Sequence, residues 1–113
     1  MRRGEIWTIA GGPDYAGKPR PAVIVQSDLF DATNSVTLCA FTTDPTAAPL
    51  VRLPVIPTDK NGLANASSLM VDKLTTVPRA KLGRRLGHLD PADMVRLERA
   101  VLVFLGLAGE PTG

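Results

Sequence analysis

Arg20 is the residue of this chain whose surroundings best equip it to hold an anion still. It lies in Lys18-Pro19-Arg20-Pro21-Ala22-Val23-Ile24-Val25, where a guanidinium between two prolines opens directly into an apolar run. Each proline fixes φ and removes a backbone donor, so the cation stands on stiffened backbone at the mouth of a strand. Thr42 and Thr43 stand at the end of another apolar run, Val36 to Phe41. If the two runs are neighbouring strands, the guanidinium and the hydroxyls project into one cleft. A planar fork of donors with an added O–H suits a phosphate and the charge that builds on a phosphorane. Such a site can cleave a phosphodiester by using the ribose 2′-hydroxyl as internal nucleophile, without a metal. The plainer reading of the same spacing pairs Arg20 with Asp44 or Asp72 and leaves the threonines as turn caps.

Other chemistries lack their residues. The one histidine, His88, falls in a short strand beside Gly87, and the one cysteine, Cys39, falls inside an apolar strand. A histidine-led triad, an internal disulfide and a cysteine zinc cluster are therefore unsupported, and neither metal nor cofactor is expected. Cys39 reads as a small buried hydrophobe. Gly12-x4-Gly17-Lys18 spells the opening of a phosphate-binding P-loop, but Pro19 stands where the magnesium-binding Ser or Thr belongs. Pro19 and Pro21 also forbid the helix that must follow. One Trp, one Tyr and three Phe are too few to place an aromatic ring under each base of a single strand. A net charge of +2 and a pI near 9.0 permit a polyanionic partner without requiring one.

The elements that must position Arg20 and Thr42 are short. Gly4 to Ile9 reads as a first strand, with Ile6 and Thr8 on one face and Glu5, Trp7 and Ile9 on the other. Residues 11 to 17 form a Gly-rich loop, and Ala22 to Val25 is the second strand. Ser27 or Asp28 caps a helical turn through Leu29 and Phe30. Val36 to Phe41 is the third strand. Val51 to Val55 is a fourth, demoted to an edge by Pro54. Asn61-Gly62 marks a turn in a polar loop, and Ser68 to Val77 is a fifth strand. One helical turn follows between Pro78 and Leu82, then a short strand over Arg85 to Leu89.

The final helix is spelled by Asp90 as N-cap, Pro91 at the first position and Asp93 in the first turn. Met94, Leu97, Val101, Phe104 and Leu105 form its apolar stripe, and Gly106 ends it. The sum is one mostly β domain over residues 1–109, a small antiparallel barrel capped by a C-terminal α-helix, with 110–113 a flexible tail. With no apolar run near 18 residues and no signal-like segment behind Arg2 and Arg3, a cytosolic location without membrane contact is expected.

The pattern Arg3-Gly4-Glu5-Ile6-Trp7, Arg20-Pro21-Ala22-Val23-Ile24-Val25, Phe41-Thr42-Thr43, Met70-Val71-Asp72-Lys73-Leu74 and Leu82-Gly83-Arg84-Arg85-Leu86-Gly87, followed by the capped helix, resembles the MazF/PemK family of toxins. The match runs in order along nearly the whole chain. The resemblance implies a dimeric SH3-like barrel of the CcdB/PemK type. It implies cutting of single-stranded RNA without a metal, leaving 2′,3′-cyclic phosphate and 5′-hydroxyl ends, and inhibition by a cognate antitoxin. Carried over by position, the family's arginine is Arg20 and its catalytic hydroxyl is Thr42. Lys18, Gly17, Tyr15, Thr43 and Asp72 are then RNA-binding candidates. The acid common in the family's first loop is missing, with Asp14 or Tyr15 as stand-ins, and Asp72 could equally serve a turn or an interface. No general base is identified. Two alternatives share the fold: a CcdB-like gyrase inhibitor, which depends on a C-terminal tryptophan where this chain has Phe104-Leu105, and a non-catalytic SH3-like binding module.

Overall fold

The structure is a computed structural model and describes residues 1–10 and 18–108. Six strands run β1 Glu5–Ile9, β2 Arg20–Ile24, β3 Ser35–Thr42, β4 Arg52–Val55, β5 Ser67–Pro78 and β6 Leu82–His88, followed by helix α1 Pro91–Phe104. They form one antiparallel sheet in the order β4-β5-β3-β2-β1-β6.

Both faces of the central strands are covered, which is why Ala22-Val23-Ile24 is an unbroken apolar run rather than an alternating one. Ile6, Val23, Cys39, Phe41, Leu69 and Val71 face Met94 and Leu97 of α1. Ala22, Ile24, Val36 and Leu38 form a second cluster on the opposite face, under Trp7, Ile9, Val77 and Leu82. Register shifts interrupt the ladders where β1 meets β6 and where β3 meets β5, the mark of a bulge.

The ladder ends at β4 and β6, so the expected barrel is an open, curled sheet. The physical reason lies in the segment after β4. His88 N–H donates to the Lys60 carbonyl at 2.9 Å, and a Cβ placed on Gly87 would sit 2.1 Å from that oxygen. Gly62, at φ +67°, approaches the Leu86 carbonyl just as closely. A turn over 60–62 thus lies against β6 where a pairing strand would otherwise be.

Asn61 holds that turn. It is buried; its Oδ1 accepts from the N–H groups of Thr58 (2.9 Å) and Leu63 (3.0 Å), and its Nδ2 donates to the Ile56 carbonyl (2.9 Å). Ser27 caps the 3-10 turn Asp28–Phe30 by accepting from Leu29 N–H, as expected. Asp90 caps α1 by accepting from Ala92 N–H at 2.8 Å. The helix stripe departs from expectation at its far end. Met94 and Leu97 are buried, whereas Phe104 and Leu105 are about half exposed, because α1 packs on β5 and β4 through its first turns.

Candidate active site

β2 begins at Arg20 and β3 ends at Thr42. Their ladder pairs Ala22 with Ala40, Val23 with Cys39 and Ile24 with Leu38. Two residues further along each strand in that register come Arg20 and Thr42. Side chains two apart share a face, so the guanidinium and the hydroxyl leave the same side of the sheet at adjacent strand ends. Pro19 and Pro21 hold the β2 end, and Pro21 sits opposite Thr8 of β1.

The two residues line one open cleft of about 390 Å³, together with Lys18, Thr43, Asn65 and Ser67. The titratable side chains that line it, among the described residues, are Lys18 and Arg20, and no carboxylate joins them. Its charge therefore suits a polyanion. Thr42 Oγ1 accepts the Asp44 N–H at 3.1 Å. A hydroxyl with an acceptor site used in this way keeps its own proton for donation into the cleft. Asp44 turns elsewhere. Its Oδ1 takes the Thr46 hydroxyl at 2.6 Å and the Thr46 N–H at 2.9 Å, and these bonds hold the carboxyl below the usual range.

The remaining candidates divide. Lys18 and Thr43 join Arg20 and Thr42 in the cleft. Asp72 does not line it: its carboxylate is bonded by Arg52, across the β4–β5 ladder. Gly17, Tyr15 and Asp14, with most of the P-loop spelling, lie outside the described residues, as does the 110–113 tail. A strand begins at Arg20, where a P-loop would need a helix. His88 is exposed on β6. Cys39 is fully buried; burial pushes its thiol up to about 12, and its Sγ–H points to the Met70 carbonyl. No group of three or more His, Cys, Asp or Glu able to hold a metal occurs among the described residues.

Asn65 and Ser67 escaped the sequence reading. Ser67 starts β5, whose next residue, Ser68, pairs with Thr42. A correct pairing of β3 with β5 would have brought this polar pair to the cleft.

The family model of PemK-like, MazF-like toxins of type II toxin-antitoxin systems matches residues 2–105. The chain belongs to that family. As a PemK/MazF toxin it is 58% identical over 109 residues to the "Probable endoribonuclease MazF" of Mycolicibacterium smegmatis, covering 96% of this chain and 100% of that protein. Its fold is similar to an endoribonuclease in complex with its cognate antitoxin from a mycobacterial species, with a TM-score of 0.78 and 25% identity over 95% of this chain and 96% of that one. The Mycobacterium tuberculosis toxin MazF-mt6 gives a TM-score of 0.75 at 26% identity, covering 91% of this chain and 97% of that one. Helix α1 packs on the sheet face opposite the one that carries Arg20 and Ala22.

Proposed function

We propose that this MazF-type endoribonuclease cleaves single-stranded RNA at the Arg20–Thr42 cleft, with Arg20 and Thr42 as its catalytic residues. The observation that carries the reading is the shared register and shared face of the two side chains in a cleft lined by cations. The scissile phosphate lies between them. The 2′-oxygen of the preceding ribose attacks phosphorus, the 2′-O–P bond forms, and the P–O5′ bond breaks. The 2′-hydroxyl gives up its proton and the departing 5′-oxygen gains one, leaving a 2′,3′-cyclic phosphate and a 5′-hydroxyl.

Arg20 forks two N–H donors onto the non-bridging oxygens, and Thr42 adds its O–H. Both bonds strengthen as charge accumulates on the phosphorane, so they favour the transition state over the ground state. An arginine stays protonated, which suits it to stabilising charge rather than to removing a proton. Lys18 and Thr43 extend the cleft for the flanking phosphate backbone.

The toxin acts in the cytosol as a homodimer that a cognate antitoxin holds inactive. Its likeness to an antitoxin-bound mycobacterial endoribonuclease supports the antitoxin. No described helix is long and apolar enough to cross a membrane.

The test is cleavage of a long RNA in EDTA, with cut sites mapped by primer extension and end groups identified by 5′-phosphorylation with kinase. Cuts bearing 5′-hydroxyl ends are expected. Intact RNA, or 5′-phosphate ends, would overturn the reading.

A further inference from the structure

On the sheet face that carries Arg20, a second depression of about 210 Å³ adjoins the cleft, and Arg20 lines both. Its floor is apolar: Ile9 from β1, Ala40 from β3 and Met70 from β5. Lys73 and Thr75 of β5 supply its polar rim, and both are exposed. Its volume falls below the roughly 300–1,000 Å³ of sites that enclose extended small ligands, which leaves room for one planar ring. Resting on the reading of Arg20 as the phosphate clamp, a group held here is the base of a nucleotide beside the cut phosphate.

The rim selects among bases. The Thr75 hydroxyl donates to the Lys73 carbonyl at 3.0 Å, so its proton is engaged and its oxygen keeps acceptor capacity for a ligand. The Lys73 ammonium can only donate. A donor beside an acceptor matches a ring carbonyl next to a ring N–H. An ammonium takes a keto oxygen in preference to a ring nitrogen, because the oxygen projects further and carries more negative charge.

We propose that the depression floored by Ile9, Ala40 and Met70 is a subsite for a keto base, uracil or guanine, next to the scissile phosphate. Lys73 and Thr75 are its specificity-determining residues. The apolar floor takes the ring face, as apolar and aromatic surfaces do in sequence-tolerant contacts, while the rim reads the edge.

The experiment uses the full chain and a pool of single-stranded RNA randomised around a central stretch, with cleaved ends sequenced. Wild-type protein is expected to enrich uracil or guanine at one position flanking the cut. Lys73→Met and Thr75→Val should each lower the ratio of keto to amino bases at that position by about tenfold, the effect of losing one hydrogen bond. Two results overturn the subsite while leaving the endoribonuclease reading intact: cuts flanked by adenine or cytosine on both sides, or variants that cut with unchanged preference. RNA left intact by the wild type defeats the endoribonuclease reading and the subsite with it. Light scattering of Lys73→Met distinguishes a second protein copy on this face. A change of molecular mass in that variant would assign the depression to an interface and overturn the base subsite.

Discussion

Arg20 and Thr42 occupy the same register step of two paired strands, two residues beyond the Ala22–Ala40 pair on each. Their proximity is therefore a property of the sheet and not of a loop, and it persists as long as β2 and β3 stay paired. Arg20→Ala should lower the rate of RNA cleavage about 100- to 1,000-fold, the usual cost of removing one preorganised transition-state donor. Arg20→Lys keeps the charge but loses the planar fork, so it should recover only part of the rate. Thr42→Ser should retain activity, because the donated proton survives, and Thr42→Val should lose it. Single-turnover cleavage, with circular dichroism to confirm folding, checks all four.

Glu5 gives the fold an acid limit. Its Oε1 accepts from the Arg2 N–H at 2.7 Å and from Trp7 Nε1 at 3.1 Å, and its Oε2 lies 2.9 Å from Arg85 Nε. Burial alone would raise its pKa. The Arg2 and Trp7 hydrogen bonds, the N-terminal ammonium and Arg85 outweigh that, and the carboxyl sits below its ordinary 4.5. A depressed carboxylate pKa contributes stability that is fully present above the unfolded-state value and is lost as pH falls through the folded-state value. Glu5→Gln should therefore lower the melting temperature at pH 7, and the gap from wild type should close as pH drops below about 4.5. A gap that is constant from pH 7 to pH 3 would contradict the charge-based account.

Asn61 is buried with its side-chain oxygen and nitrogen both engaged by the backbone. Asn61→Ala strands two N–H groups and a carbonyl, so a loss on the order of 3 kcal/mol is expected in urea unfolding. Asn61→Asp should fare no better, since it deletes the donor to the Ile56 carbonyl and brings a charge into a buried site.

Cys39 should be inert. Buried, with its thiol pushed up to about 12, it holds almost no thiolate at neutral pH. An aromatic disulfide reagent should label the folded protein only at the rate of global opening and label it quickly in denaturant. Rapid labelling of native protein would refute the packing role.

That Arg20 and Thr42 share one cleft was legible because the signals are local: an apolar run, a proline on each side of Arg20 and a threonine where the next run stops. Helix α1 was legible for the same reason, through Asp90, Pro91 and Gly106. What sequence did not show depends on partners distant in the chain. Asn65 and Ser67 reach the cleft only because β3 pairs with β5. Asp72 leaves it only because Arg52 approaches from the other edge of β5. The exposure of Phe104 and Leu105 follows from where α1 runs past the sheet, a distance that a helical repeat of apolar residues does not encode. Strand spacing counts the strands without saying whether the last finds the first, and here the ladder ends at β4 and β6.

Pro54 has a consequence for how these molecules meet one another. Val71 N–H bonds the Val51 carbonyl, so at alternate positions the backbone of β4 faces β5, and at Arg52 and Pro54 it faces outward. Of those outward groups, the Arg52 N–H is taken by the Ala48 carbonyl at 2.8 Å. Pro54 has no N–H, and its carbonyl accepts from Arg96 Nη1 at 3.2 Å. A foreign strand arriving at this edge meets few vacant donors or acceptors, which blocks strand-by-strand polymerisation at its first step. Copies of this chain can therefore crowd together without adding strands at the β4 edge, and a partner that docks there must do so mainly through side chains.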